Sequence, residues 1–312
     1  MSFDDINTLG QQRKPFLFIS DFKAKNIKVI PLNELENSDI EYSINSNCPI
    51  RKQSEILTKI PLSFISYKQK FDKVIAKIKL GETYLLNLTQ ATKIQTSLSL
   101  KEIYTNASAH YKLRYKDDFV CFSPEKFIQI SGTEIHTYPM KGTIDASLEN
   151  AVDKILENKK EMAEHIMVVD LLRNDLSIVA TDVKVEDFRY ITHINAGEKE
   201  LLQVSSHISG YVGDSWHEKL GDILQALLPA GSISGTPKKS TLEIIEMIEE
   251  YDRGYFSGVF GVYDGKSFDS GVMIRFIQNT EDGLIYKSGG GITLDSNAMA
   301  EYNELLDKVY LP

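Results

Sequence analysis

The chain has 312 residues, 42% hydrophobic and 25% charged, enough to bury a sizeable core in one large domain or two small ones. A net charge of −9 without any basic run excludes a nucleic-acid footprint, and it leaves any anion site dependent on local Arg, Lys, metal or backbone N–H groups. No apolar run approaches the ~20 residues that cross a bilayer, so no membrane span is expected.

The polar start MSFDDINTLGQQRK lacks the apolar stretch of a secretory signal. Residues 14–32 (KPFLFISDFKAKNIKVIPL) alternate as two strands around a charged turn. Residues 33–60, broken by Asn, Ser and Pro, read as loop. Cys48 and Cys121 make neither a disulfide framework nor a metal-ligand spacing, and they read as reduced thiols of a cytoplasmic protein. Apolar residues at helical spacing over 63–80 predict a helix stopped by Gly81. TYLLNLTQATKI predicts a strand, and 118–138 two or three strands with a turn at Ser131-Gly132. Residues 148–178 are the clearest helical stretch, with Met162, Ile166, Met167, Val169, Leu171 and Leu172 on its apolar face. Ser240-Thr241 followed by Glu243 has the form of a capping box opening a helix over 240–251. Apolar runs punctuated by Gly over 256–294 read as strands, and 297–310 returns to helix. Strands and helices mix without a βαβ rhythm, which predicts an α+β fold. No Pro/Gly/Ser-rich linker divides the chain, so one domain is expected.

Several residues could do chemistry. Glu161 with Glu164 in EMAEH, and Glu301 with Glu304 in AEYNE, are i, i+3 pairs that share a helix face. Two such helices meeting would offer up to four carboxylates to a hard cation such as Mg²⁺; apart, they are solvated helix surface. Gly289, Gly290 and Gly291 lie between a predicted strand and helix, where backbone N–H groups can approach an anion. Lys141, between Pro-Met and Gly142, could be desolvated, which would lower its pKa and free a nucleophilic amine. Glu125 follows an apolar strand, and a carboxyl in a poorly solvated pocket can stay protonated as a general acid. Arg275 lies inside the apolar run GVMIRF, where a guanidinium needs an anionic partner. His165, beside Glu164, reads as structural.

Taken together, the segments SPEKF, YPMKGT, EMAEHIMVVDLLRNDL, LPAGSISGTPK, GVMIRF and SGGGITLDSNAMAEYNE resemble the chorismate-utilising enzymes, in that family's order. The resemblance covers roughly 65–310, a motif-bearing core, and leaves 1–64 as a reduced N-terminal part. It implies a single domain, 1–312, with two large antiparallel sheets flanked by helices. It also implies Mg²⁺, with Glu164 and Glu304 as direct ligands and Glu161 and Glu301 as outer, water-mediated carboxylates. Backbone N–H groups of the Gly289-Gly290-Gly291 run, with Ser232, would hold the ring carboxylate of chorismate. Arg275 matches the partner of the enolpyruvyl carboxylate, Gly142 and Thr143 match contacts near the ring, and Glu125 matches the acid that protonates the departing C4 hydroxyl.

Within the family, isochorismate-type enzymes carry a lysine base where this chain has Leu85. Anthranilate synthases have Ala where it has Lys141. PMKGT resembles the aminodeoxychorismate synthases, in which that lysine attacks C2 and ammonia then adds at C4. The resemblance therefore implies conversion of chorismate and ammonia to 4-amino-4-deoxychorismate, on the way to 4-aminobenzoate and folate. A separate glutamine amidotransferase would supply the ammonia. Anthranilate synthase component I, an isochorismate or salicylate synthase, and a non-catalytic chorismate-binding homologue are the competing readings. Gln203 stands where the family usually has His, and Phe256 where it usually has Tyr, with Tyr255 next to it. The long members' N-terminal extension, which helps form a tryptophan pocket, is largely missing, so tryptophan feedback is not expected.

Overall fold

The computed structural model describes residues 2–45, 57–196 and 199–311. Among these, two antiparallel sheets dominate. The first runs Met140–Asp145, Lys199–Tyr211, Glu134–Thr137, Lys126–Ser131, Phe268–Val272, Val259–Tyr263, Phe16–Ser20 and Ile27–Pro31, with Thr181–Ala196 also paired to Lys199–Tyr211. The second runs Gly235–Thr236, Leu85–Gln95, Gly283–Ile292, Phe276–Thr280, Phe119–Ser123, Tyr111–Tyr115 and Ile40–Ile44, with Thr58–Ile60 on the free end of Leu85–Gln95.

Strand alternation builds the layers. Phe16 and Phe18 turn into a core shared with the helices, while Leu17 and Ile19 turn into a core between the two sheets. Phe119 and Cys121 meet them there, and Val120 and Phe122 face the far side, under Leu100, Ile103 and Val309. FLFIS and FVCFS are fully buried for that reason. The first 64 residues are not a separate unit, since Phe16–Ser20 pairs with Val259–Tyr263 and Ile40–Ile44 with Tyr111–Tyr115.

Three local expectations change, and one element appears that no expectation covered. The polar start contains a helix, Phe3–Gln11, closed by a capping box between Ser2 and Asp5. The stretch read as loop holds a 3₁₀ turn, Leu32–Asn37, and the edge strands Ile40–Ile44 and Thr58–Ile60; residues 46–56, with Cys48, lie outside the described residues. The long helix is two, Ala151–Glu157 and Lys159–Val179, because Asn158 leaves helical backbone and caps the second through Glu161 N–H. The expected capping box at Ser240 is absent. That helix starts at Lys238 behind Pro237, and Ser240 Oγ instead donates to the Glu82 carbonyl at 2.7 Å.

One mismatch of strand lengths shapes the site. Gly283–Ile292 pairs over its whole length with Leu85–Gln95, but Phe276–Thr280 covers only Gly283–Lys287 on its other side. From Ser288 onward that edge is open, and the chain before Phe276 turns away through Arg275 at φ +52.

Candidate active site

A cleft of about 1020 Å³, mouth included, opens at this unpaired edge. Its walls include Leu85, Glu125, Lys141, Glu164, Ser232 and Arg275, together with Ser288 through Gly291 and Lys308. Eight of the expected site residues meet there, Glu125, Lys141, Glu164, Ser232, Arg275 and Gly289 through Gly291, whereas Glu161, Glu301 and Glu304 do not line the cleft.

The three glycines lie within the strand, not between strand and helix as expected. Gly289 opposes Thr89, whose N–H goes to Glu249 Oε1 at 2.8 Å and so takes no part in the ladder. That pair is of the non-hydrogen-bonded kind, so the polar groups of Gly289, and of Gly291 two residues on, point to the open edge. Lys308 Nζ reaches the Gly289 carbonyl there, at 2.8 Å. A Cβ on Gly289 would stand 2.6 Å from Thr89 Cγ2, so only glycine fits.

The carboxylates are interleaved with lysines. Glu164, buried, pairs with Lys141 at 2.7 Å. Lys160 lies 3.7 Å from both Glu164 and Glu301, and Lys308 pairs with Glu304 at 2.7 Å. Glu301 also accepts from Ser296 Oγ at 2.8 Å, and burial pushes it above the usual carboxylate range. Glu161 reaches toward Gly142, where a Cβ would come within 3.2 Å of its Oε2. Among the described residues no three acidic, His or Cys side chains converge as a ready metal centre. Glu164 Oε1 is nevertheless buried without a hydrogen-bond partner, which suits an oxygen-seeking cation.

The expected depression of Lys141 does not occur in this arrangement. Burial pushes its pKa down, but Glu164, with Glu161 and Glu304 further out, outweighs burial and keeps the ammonium above its usual range. Glu125 behaves as expected. Burial raises it, against the opposing pull of Ser232, Arg275 and Lys308, so the protonated acid is favoured. Ser232 Oγ donates to Glu125 Oε1. Arg275, half-buried, has no carboxylate partner among the described residues; its Nε is buried and unpaired, and its guanidinium lies 5.8 Å from the Tyr310 ring centre.

Other expected residues lie elsewhere. Thr143 is exposed opposite Gln203 in the first sheet, and neither it nor Gly142 lines the cleft. Gln203 Oε1 is buried without a partner. Phe256 lines the cleft as an apolar wall, whereas Tyr255 stacks on Phe119, 5.2 Å between ring centres, away from it. His165 is buried and does not line the cleft. Its Nε2 meets Ser206 Oγ at 2.7 Å, and burial lowers its pKa to about 4.

Sequence reasoning missed Lys126, Tyr138 and Lys308 on the cleft wall. Lys308 had a signal, lying four residues after Glu304 on one helix face. Burial lowers its pKa, despite Glu304. Lys126 follows Glu125 directly, and nothing in the sequence distinguishes it from a surface lysine.

A family model described as chorismate binding enzyme matches residues 12–311. An uncharacterized PabA-like protein of Haemophilus influenzae is 47% identical over 313 residues, 99% of this chain and 95% of that one. Aminodeoxychorismate synthase component 1 of Salmonella typhimurium is 34% identical over 261 residues, 78% of this chain and 56% of that protein. A solved chain described as a 2,3-dihydroxybenzoate-specific isochorismate synthase from Bacillus anthracis has a TM-score of 0.72 over 98% of this chain and 88% of its own, at 19% identity, a likeness of fold.

Proposed function

This chain belongs to the chorismate-binding enzymes, and we propose that it makes 4-amino-4-deoxychorismate from chorismate and ammonia. The observation that carries this reading is Lys141, an amine on the cleft wall 2.7 Å from Glu164. Arg275, a cation without a carboxylate partner among the described residues, takes the enolpyruvyl carboxylate, and the N–H groups of Gly289 and Gly291 take the ring carboxylate. Glu125, its pKa raised by burial, gives its proton to the C4 hydroxyl as it leaves. Lys141, released from Glu164 with its ammonium proton passed to solvent at the cleft mouth, attacks C2 while the ring double bonds shift and the C4–O bond breaks to release water. Ammonia then adds at C4, the double bonds shift back, and the C2–N bond to Lys141 breaks. The tethered amine blocks C2 and so directs ammonia to C4.

Mg²⁺ held by Glu164 and Glu304, with Glu161 and Glu301 reaching it through water, would neutralise charge on the ring carboxylate. Ammonia comes from a separate glutamine amidotransferase. Cys121 is fully buried between the sheets, and burial pushes its thiol up, so it is no glutaminase nucleophile.

Product analysis of purified protein with chorismate, Mg²⁺ and ammonium tests the assignment. Accumulation of 4-amino-4-deoxychorismate supports it. Anthranilate would keep the site and overturn the role of Lys141; isochorismate or salicylate would overturn the inference from Leu85. Chorismate binding without turnover would favour a non-catalytic homologue. Turnover with glutamine by the single chain would remove the separate amidotransferase.

A further inference from the structure

Ser257 and Arg275 are the two non-glycine residues on the cleft wall with left-handed backbone, at φ +64 and +52. Such a conformation costs an L-residue about 1 kcal/mol or more, and glycine would adopt it freely. At Ser257 the backbone is held firmly. Its N–H donates to the Met273 carbonyl at 2.8 Å, and Met273 N–H donates to the Gly258 carbonyl at 2.7 Å. Gly258 admits no side chain, since a Cβ would stand 2.0 Å from the Ser20 carbonyl oxygen. These bonds tie the 256–258 turn to the 273–275 turn and bring Ser257 and Arg275 to one wall of the cleft. Ser257 is only 3% exposed, yet its hydroxyl has no protein partner among the described residues. Phe256 and Ile274 beside them are apolar. Any polar contact at this wall therefore falls to Ser257 and Arg275.

We propose that Ser257 is a substrate-binding residue whose hydroxyl donates to the same carboxylate that Arg275 pairs with, selecting ligands that carry a second carboxylate on a ring substituent. The inference rests on the reading above that chorismate fills the cleft. It accounts for a serine in a turn that favours glycine. A guanidinium supplies charge, and an O–H aimed at the same oxygens supplies direction.

Calorimetric titration of the wild-type chain and of Ser257→Ala and Ser257→Gly tests it, with chorismate, 3-(carboxymethoxy)benzoate and 3-methoxybenzoate as probes. Both variants lose the hydroxyl, but only the glycine relieves the backbone. The expected result is a fall of about ten- to hundredfold in affinity for chorismate and for the dicarboxylate in both variants. Binding of the monocarboxylate should be unchanged, and thermal stability should rise in the glycine variant alone. With turnover, KM should rise while kcat holds. If wild type binds chorismate and both variants bind it equally well, the role of Ser257 is overturned and the chorismate reading stands. Equal losses for all three probes, or affinity that follows stability, would also overturn it. If wild type ignores chorismate yet binds the dicarboxylate in a Ser257-dependent way, the chorismate reading fails and the anion pair stands.

Discussion

Replacing Arg275 by glycine should make the protein more stable and its ligand binding much worse. Among the described residues the side chain has no carboxylate partner; it buries an unpaired Nε and sits at φ +52, a left-handed conformation that favours glycine. Glycine removes a left-handed penalty of roughly 1 kcal/mol and a buried unpaired donor that costs about 1–3 kcal/mol. Against this stand the lost packing on Tyr310 and the greater freedom of glycine in the unfolded chain, about 0.5–1 kcal/mol. A net gain of about 1 kcal/mol corresponds to a Tm rise of roughly 1.5 °C in a domain of 312 residues. Affinity for chorismate should fall by about 2–5 kcal/mol, the cost of removing one member of a desolvated charge pair, or roughly 30- to 5,000-fold. Scanning calorimetry and titration on the same preparation read both quantities. A variant that loses several degrees along with binding would mean that Arg275 serves the fold. A stabilised variant that binds chorismate normally would mean that the unpaired cation serves some other anion.

Lys141→Ala should abolish most 4-amination and divert some ammonia to C2; anthranilate in the product mixture is the signature, and an unchanged product and rate would remove Lys141 from the mechanism. Glu125→Gln should lower kcat by about 10²–10⁴-fold. Because burial raises the Glu125 pKa, wild-type kcat should fall as pH rises through that value, and the glutamine variant should lack this limb. His165 gains its proton near 6.5 when unfolded but only near about 4 when folded, so between those values the unfolded chain binds more protons. Stability should therefore drop as pH falls through that window, and His165→Gln, which keeps a partner for Ser206, should show a shallower slope of Tm against pH.

The sequence alone picked out candidate residues, of which Glu125, Lys141, Glu164, Ser232, Arg275 and Gly289–Gly291 meet on one cleft. Apolar alternation set the strands, and the i, i+3 glutamates share faces because 3.6 residues make a turn. An arginine in an apolar run announced a missing anion; the structure puts Arg275 in the turn between two strands, with no carboxylate partner among the described residues. Local pattern could not supply the partners each group meets across the fold. Desolvation of Lys141 was foreseen, but the sign of its shift was set by Glu164, 23 positions along the chain and 2.7 Å away. The glycine run could be read as a turn or an anion cradle; the short neighbour Phe276–Thr280, whose pairing stops at Lys287, made it an open strand edge. Thr143 and Lys141, two residues apart, would share a face of a regular strand; they part company because the register slips between Met140 and Thr143, with Gly142 at φ +84, and only Lys141 reaches the cleft. Chemistry is written in residue type and short spacing. Charge state and access depend on groups brought together from distant segments, which only the tertiary structure decides.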